Sequence, residues 1–478
     1  MRLEPVVRKD YLIKLSNDAK LKTTVGEIMN SMNVDSIRAG KTRAILAFSV
    51  PAIISMVLTS LINVADGFFM GNFIHKDAIA AVNLGLPIIY LFLATGLMVS
   101  VGGSVLAGMA MGRQDEKSCR SIFSQTMATC VAASVLLSVV MFFLLRTILA
   151  VLGAEGKAAE YFLQYYTVLL FELPVMTVNA SLGMFVRAEG RPQFYLGVTA
   201  FTCVLNILLD WLFTAGLGFG VRGIAAASLV SAVLGFALLL SYFLKKARVF
   251  KFVKFRFDRE VFKSTMLNGL SEFIGELSMC ISMAAYNLAI MRRFGVDGVT
   301  AFTVVGYTSY VFSMVVCGFG QGMAPLASFV YGAKEKLLAR KLYSRTNLLV
   351  FISGAVTVAL VGFGSGWYSR IFVEDAAVQQ MIKSGILIFM WNYILCGLNA
   401  IASFYFTSIG KAKESAVIST ARGLVILLAS IFVLPAIFGM NGIWLTSPAT
   451  EILTLAITLF YLKKDRREIS LEEPAEQM

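Results

Sequence analysis

Sliding the chain 220 positions along itself superposes two of its own stretches. Asp77 falls on Asp297, Ala81 on Ala301, Gly102 on Gly322, Gly112 on Gly332, Arg120 on Arg340, Ser124 on Ser344, Asn179 on Asn399 and Gly190 on Gly410. A fixed offset held over so long a stretch marks a duplicated structural unit. Both copies carry long apolar runs, such as Ala128–Leu145 and Asn347–Gly364. As a helix, a run of roughly 20 residues crosses about 30 Å of hydrocarbon. A closed barrel would need short alternating segments instead, so continuous runs mean helices whose backbones satisfy their own hydrogen bonds.

Composition agrees. The chain is 58% hydrophobic and 15% charged, against roughly 45–50% and about 25% in soluble domains. Twelve spans are expected. The first six run near 44–71, 78–111, 119–149, 158–187, 193–215 and 223–245. The second six run near 260–292, 298–331, 343–371, 376–408, 413–436 and 442–462. Six spans per copy is an even number, so the copies share one orientation. They should be related by a pseudo-twofold axis along the membrane normal. The expected organisation is an all-α polytopic membrane protein of two six-helix lobes. An N-terminal extension (1–43) precedes the first lobe (44–245), a linker (246–259) joins it to the second (260–462), and a charged tail (463–478) follows. A duplicated helical membrane unit is a common build of secondary transporters.

The net charge of +13 does not point to nucleic acid. Most of the 42 Lys and Arg fall on the side of the N-terminus, with a cluster at Lys245, Lys246, Arg248, Lys251, Lys254, Arg256, Arg259 and Lys263. That is the positive-inside bias. It makes both termini cytoplasmic in a multi-pass inner-membrane protein, and the same loop suits contact with anionic lipid. Six cysteines with no CxxC pair, and His75 as the single histidine, indicate neither a disulfide framework nor a zinc site. Gly218-Phe-Gly-Val-Arg-Gly223 spells a dinucleotide fingerprint, but it lies in a turn between apolar helices rather than after a strand. No nucleophile–base–orienter set is present, so the chain does not read as an enzyme, and no cofactor is expected.

The informative residues are carboxylates inside apolar helices: Asp66, Glu172, Asp210, Glu272, Glu276 and Glu451. A charge at the bilayer centre costs at least about 2.5–3.5 kcal/mol, so such groups face a cavity or a partner. Asp66 and Asp210 each lie six or seven residues before the far end of their spans, roughly 10 Å deep. Asn206 shares a helix face with Asp210, and Ser228 reaches similar depth on the returning span. Four oxygen-bearing side chains are therefore expected to converge in the first lobe. Such a set suits sodium, or two crowded carboxylates sharing a proton. Glu276, with Glu272 beside it, is a second-lobe contact for an ion or a cationic substrate. Glu272 alternatively meets the basic loop. Glu172, Glu451, Asn392 and Asn399 are weaker candidates. Abundant Met and Phe (22 and 37) suit varied apolar cations.

The chain resembles the MATE (multidrug and toxic compound extrusion) family. The residues that carry the resemblance are "LINVADGFFMG" and "DAIAAVNLGLP", then "VRAEGRPQ", "NILLD", "GIAAAS" and "GFGQGMAPLASFVYGA". They extend over about residues 40–463. The resemblance implies two lobes forming a V around a central cavity. It implies export of organic cations against a sodium or proton gradient by alternating access. It matches the family's first-span acid to Asp66, the Asn-x-x-x-Asp pair to Asn206 and Asp210, the sixth-span hydroxyl to Ser228 and the seventh-span acid to Glu276. It departs at Ser271, where the family usually has proline, and in the tenth span, where Asn392 and Asn399 stand in place of an acid. The expected function is a monomeric, cation-coupled antiporter for amphipathic cations. A flippase for lipid-linked oligosaccharide or envelope precursors is the alternative.

Overall fold

The computed structural model describes residues 33–152 and 155–472. Most of the expected N-terminal extension, and residues 473–478 of the expected tail, lie outside the described residues. Among the described residues the regular structure is entirely helical. After a short turn of helix at Val34–Ala39 come α1 (Lys41–Phe73), α2 (Leu86–Gly112), α3 (Glu116–Leu152), α4 (Gly156–Ala188) and α5 (Pro192–Trp211). A π-helical turn, Leu212–Gly216, extends α5, and α6 (Gly220–Lys245) follows. The next helical stretch, Arg259–Gly332, has 74 residues. At 1.5 Å per residue it would be about 110 Å long, far beyond one bilayer. Gly295 breaks it, with φ 64 and ψ −156. Residue 295 is the repeat-mate of His75 in the connection after α1, so the stretch is two spans, α7 and α8, before and after Gly295. Then come α9 (Lys336–Phe372) and α10, which bends by 46° between Ala376–Phe389 and Asn392–Ser408. Last are α11 (Ala412–Phe438), with a π-helical turn at Ala421–Val425, and α12 (Met440–Glu472). Twelve spans result, six per lobe.

The duplication is visible in the backbone itself. Among the described residues, Gln114 and Lys334, 220 apart, are the non-glycine residues with positive φ, at 59° and 66°. Gly190 and Gly410, also mates, have φ 85° and 75°. A left-handed residue after the last turn stops a helix by folding the chain back on its open carbonyls. The same stop therefore ends α2 and α8, and again α4 and α10.

Internal prolines leave carbonyls without their usual donor four residues on. Lipid offers none, so side chains must. Pro174 in α4 frees the carbonyl of Leu170, which accepts from Ser138 Oγ of α3. Pro51 in α1 frees the carbonyl of Ala47, and Gln193 Nε2 of α5 lies 3.5 Å from it.

The linker is strapped to the first lobe. Glu189 Oε1 accepts from the backbone N–H groups of Arg248 (2.8 Å), Val249 (2.6 Å) and Phe250 (3.3 Å), and Tyr242 donates its hydroxyl to Oε2. Gln125 exchanges two hydrogen bonds with the backbone of Asp258, at 2.8 and 3.0 Å. Asp258 in turn caps α7 through the N–H groups of Glu260 and Val261. The chain past the expected end of the last span also stays helical. Buried Asp465 accepts from Arg340 Nη1 (2.6 Å), Lys411 Nζ (2.8 Å) and Tyr405 OH (3.0 Å), which pins the end of α12 to its own lobe.

The lobes meet at the face that carries the basic linker. There α2 lies backbone to backbone on α7. A Cβ added to Gly269 would sit 1.8 Å from the carbonyl oxygen of Met98, and one on Gly102 would sit 2.0 Å from that of Thr265. The close glycine approaches of α8 to α1 and α2 lie in the same half of the spans. This seam closes the basic end of the V. The helix α1 belongs to both sides of it. Its early residues Ala44, Ile45 and Phe48 pack into the core of the second lobe, whereas Phe69 and Met70 pack against the first.

Substituting Gly269→Val should prevent that seam from closing. Ser328, which is buried at the seam beside Gly108, becomes Cys in the test protein. Maleimide applied from the basic face is expected to label this cysteine rapidly in the Gly269→Val background and slowly without it.

Candidate functional site

Three helices bring the first-lobe acids together. Asp66 of α1 is 9% exposed, and Asn206 and Asp210 of α5 are 0% exposed. Asp66 and Asp210 lie within interaction distance of each other. Glu172 of α4 joins them within electrostatic reach, as does the Tyr165 hydroxyl two turns before it. Asn206 Nδ2 donates to Ser228 Oγ of α6 at 3.2 Å. Ser228 thus reaches the acids through Asn206. Just beyond Asp210 the helix widens into its π turn, and Thr214 Oγ1 donates to the Asp210 carbonyl. Such bulges often sit at functional positions.

The decisive property is an imbalance of hydrogen-bonding groups. Asp66 Oδ1, both Asp210 carboxylate oxygens, Asn206 Oδ1 and Glu172 Oε2 are buried acceptors with no protein donor. Buried polar atoms are ordinarily paired, and buried carboxylates are costly without a positive partner. Such a cluster can receive positive charge. Among the described residues no three His, Cys, Asp or Glu side chains gather tightly enough to ligate a metal on their own. A sodium ion here would therefore draw on Asp66, Asp210 and the Asn206 amide oxygen together. A proton needs only the two aspartates.

The second lobe is built differently. Glu451 of α12 receives Arg422 of α11 on Oε1, from Nη2 at 2.7 Å and Nε at 3.1 Å. Its Oε2 accepts from Asn399 Nδ2 of α10 at 2.7 Å, and Thr458 Oγ1 closes the ring onto Asn399 Oδ1 at 2.7 Å. Glu451 and Asn399, weaker candidates from the sequence, form a saturated network with their own cation. Asn392 stands apart from it, just past the bend of α10, with Oδ1 unpartnered. The intramembrane charges are not acids alone: Arg422 lies in α11, and Arg187 at the end of α4. Arg422 had a readable signal, a lone basic residue within an apolar run. Glu272 does not meet the basic loop. It lies with Glu276 near Cys317 of α8, and Tyr90 of α2 lies near both Glu276 and Tyr310 of α8. That second pair faces the region between the lobes and is separate from the first-lobe cluster.

The MatE family model matches twice, over residues 51–212 and 273–433, one match in each lobe and at nearly the offset of the internal repeat. The chain belongs to the MatE family. It is a multi-pass membrane transporter and not an enzyme. Among its relatives, "Multidrug export protein MepA" of Staphylococcus saprophyticus is 22% identical over 435 residues, covering 90% of this chain and 96% of the relative. "Probable multidrug resistance protein YoeA" of Bacillus subtilis is 23% identical over 430 residues, covering 88% and 93%. A solved multidrug resistance MATE family transporter in an outward-facing conformation superposes with a TM-score of 0.84 at 22% identity, covering 90% of this chain and 96% of that one. A transporter of the MOP superfamily from Pyrococcus furiosus superposes with a TM-score of 0.84 at 22% identity, covering 91% and 97%. These likenesses establish the two-lobed fold.

Arg422→Gln should strand Glu451 without its cation. The expected loss is about 2–3 kcal/mol, somewhat below that for a wholly buried pair because Arg422 keeps partial exposure. The double change Arg422→Gln with Glu451→Gln should recover most of it. Thermal unfolding in detergent reads both.

Proposed function

We propose that this transporter exports amphipathic, mostly cationic small molecules across the inner membrane, driven by entry of sodium or protons. The observation that carries the reading is the donor-poor cluster of Asp66, Asp210, Asn206 and Glu172 in the first lobe. A cation moves an equilibrium between two arrangements only by binding one of them more tightly. Positive charge entering this cluster relieves the repulsion between α1, α4 and α5, and so favours the arrangement in which those helices pack closely. Because α1 also packs into the second lobe across the seam, a change at Asp66 bears on how the lobes meet. The basic face is cytoplasmic on the positive-inside rule, so the seam described above is the cytoplasmic gate in its closed position.

Cargo binds between the lobes, where Glu276 and Glu272 carry no ion pair among the described residues and Tyr90 lies near Glu276 and Tyr310. Carboxylates and aromatic faces attract organic cations. Arg422 does not reverse this polarity, because Glu451 neutralises it. That weighs against the precursor-flippase reading, which calls for a strongly cationic cavity. The names of the relatives, multidrug export and multidrug resistance, agree with a broad cargo range.

The test is efflux of a fluorescent organic cation from proteoliposomes under a sodium or proton gradient imposed alone. One gradient should drive efflux, and Asp66→Asn and Asp210→Asn should each cut the driven rate by at least about tenfold. Undiminished driven efflux in both variants would sink the proposal.

A further inference from the structure

The seam between the lobes holds a charge that the coupling scheme does not use. Arg187, at the basic end of α4, is 4% exposed. Its Nη2 lies 3.0 Å from Met184 Sδ, its guanidinium carbon lies 4.8 Å from the centre of the Tyr195 ring, and its buried Nε has no partner. Among the described residues no carboxylate pairs with it. The nearest acid in sequence, Glu189, is turned to the linker backbone and Tyr242. Arginine stays protonated in any protein setting, so this is a fixed, uncompensated positive charge in a low-dielectric place.

Its position gives it consequence. Arg187 lines a cavity of about 20 Å³ in the seam, together with Ser104 of α2, Gln321 and Ser328 of α8, and Phe404 of α10. That volume holds about one water. Its walls are mostly apolar, from Val101, Val105, Met184, Pro325 and Phe404, so a cation entering this gap between the lobes meets Arg187 with little to solvate it. The cavity lies between the lobes at the closed end of the V, beneath the region where cationic cargo and coupling ions would gather.

We propose that Arg187 is an electrostatic barrier in the closed seam, which keeps protons, sodium and cationic cargo from leaking through it. A fixed positive charge at a narrow constriction repels cations and does not repel anions. The inference rests on the closed seam and not on which ion drives transport. It can therefore fail while the proposed coupling stands, and the reverse also holds.

The experiment uses the full chain in proteoliposomes without substrate, and follows passive proton, sodium and chloride flux under imposed gradients. Arg187→Met keeps the length of the side chain and removes the charge. It should raise proton or sodium leak by at least about tenfold with chloride flux unchanged, while Arg187→Lys stays within about twofold of the parent. Ser104→Asp places a carboxylate in the same cavity and should produce the same leak with Arg187 intact, so the test survives if Arg187→Met does not fold. Cation leak at the parental level in the folded charge-cancelling variants would overturn the proposal. So would a leak in Arg187→Lys equal to that of Arg187→Met, or chloride leak rising in step with the cations, since either marks a loosened seam rather than a lost charge.

Discussion

In hydrocarbon, a buried oxygen that finds no donor inside the protein has nowhere else to turn. Most of this chain obeys that constraint with internal repairs. Ser138 serves the carbonyl freed by Pro174, Thr458 and Asn399 complete the surroundings of Glu451, and Arg422 supplies that carboxylate with its counter-charge. The first-lobe cluster departs from it most plainly among the carboxylates, since its carboxylate and amide oxygens outnumber donors. What sets this cluster apart from the other unpartnered polar atoms of the lobe is that it gathers carboxylate and amide oxygens of three helices at one place. The second lobe shows the contrast from the same ancestral unit. Its glutamate has a cation built in.

The duplication explains how one chain holds both solutions. The repeat preserves what shapes the backbone: the left-handed stops at Gln114 and Lys334 and at Gly190 and Gly410, and the break at Gly295 opposite the connection at His75. It does not preserve the acids, since Asp66 falls on Tyr286 and Asp210 on Ser430. Asn179 and Asn399 show the transition. Each donates its amide to a backbone carbonyl of the last helix of its lobe, of Ala232 in one and Glu451 in the other. Only in the second lobe does that helix also offer a carboxylate to the same amide.

How much of this was legible in the sequence follows from the physics of each feature. Span number, the two lobes and the first-lobe residues could be read because apolar length, even span count and depth along a helix are one-dimensional quantities. The partners of Glu451 could not be read, because the pairing of α10, α11 and α12 is set by lateral packing, which leaves no mark in spacing. A scan for stray acids alone also passes over Arg422 and Arg187, although an arginine in an apolar run costs as much to bury. The reach of Glu172 and Tyr165 toward Asp66 depends on how α4 lies beside α1, again a lateral fact.

The central claim is that the first-lobe acids hold the coupling cation and the saturated second-lobe network does not. The most direct measurement is a potentiometric titration of the purified chain with and without sodium, comparing the parent with Asp66→Asn, Asp210→Asn and Glu451→Gln. The account predicts that the parent takes up a proton, or a sodium ion that displaces one, that both aspartate variants lose this uptake, and that Glu451→Gln keeps it. Aspartate variants that bind the cation as the parent does, with binding lost in Glu451→Gln, would contradict it.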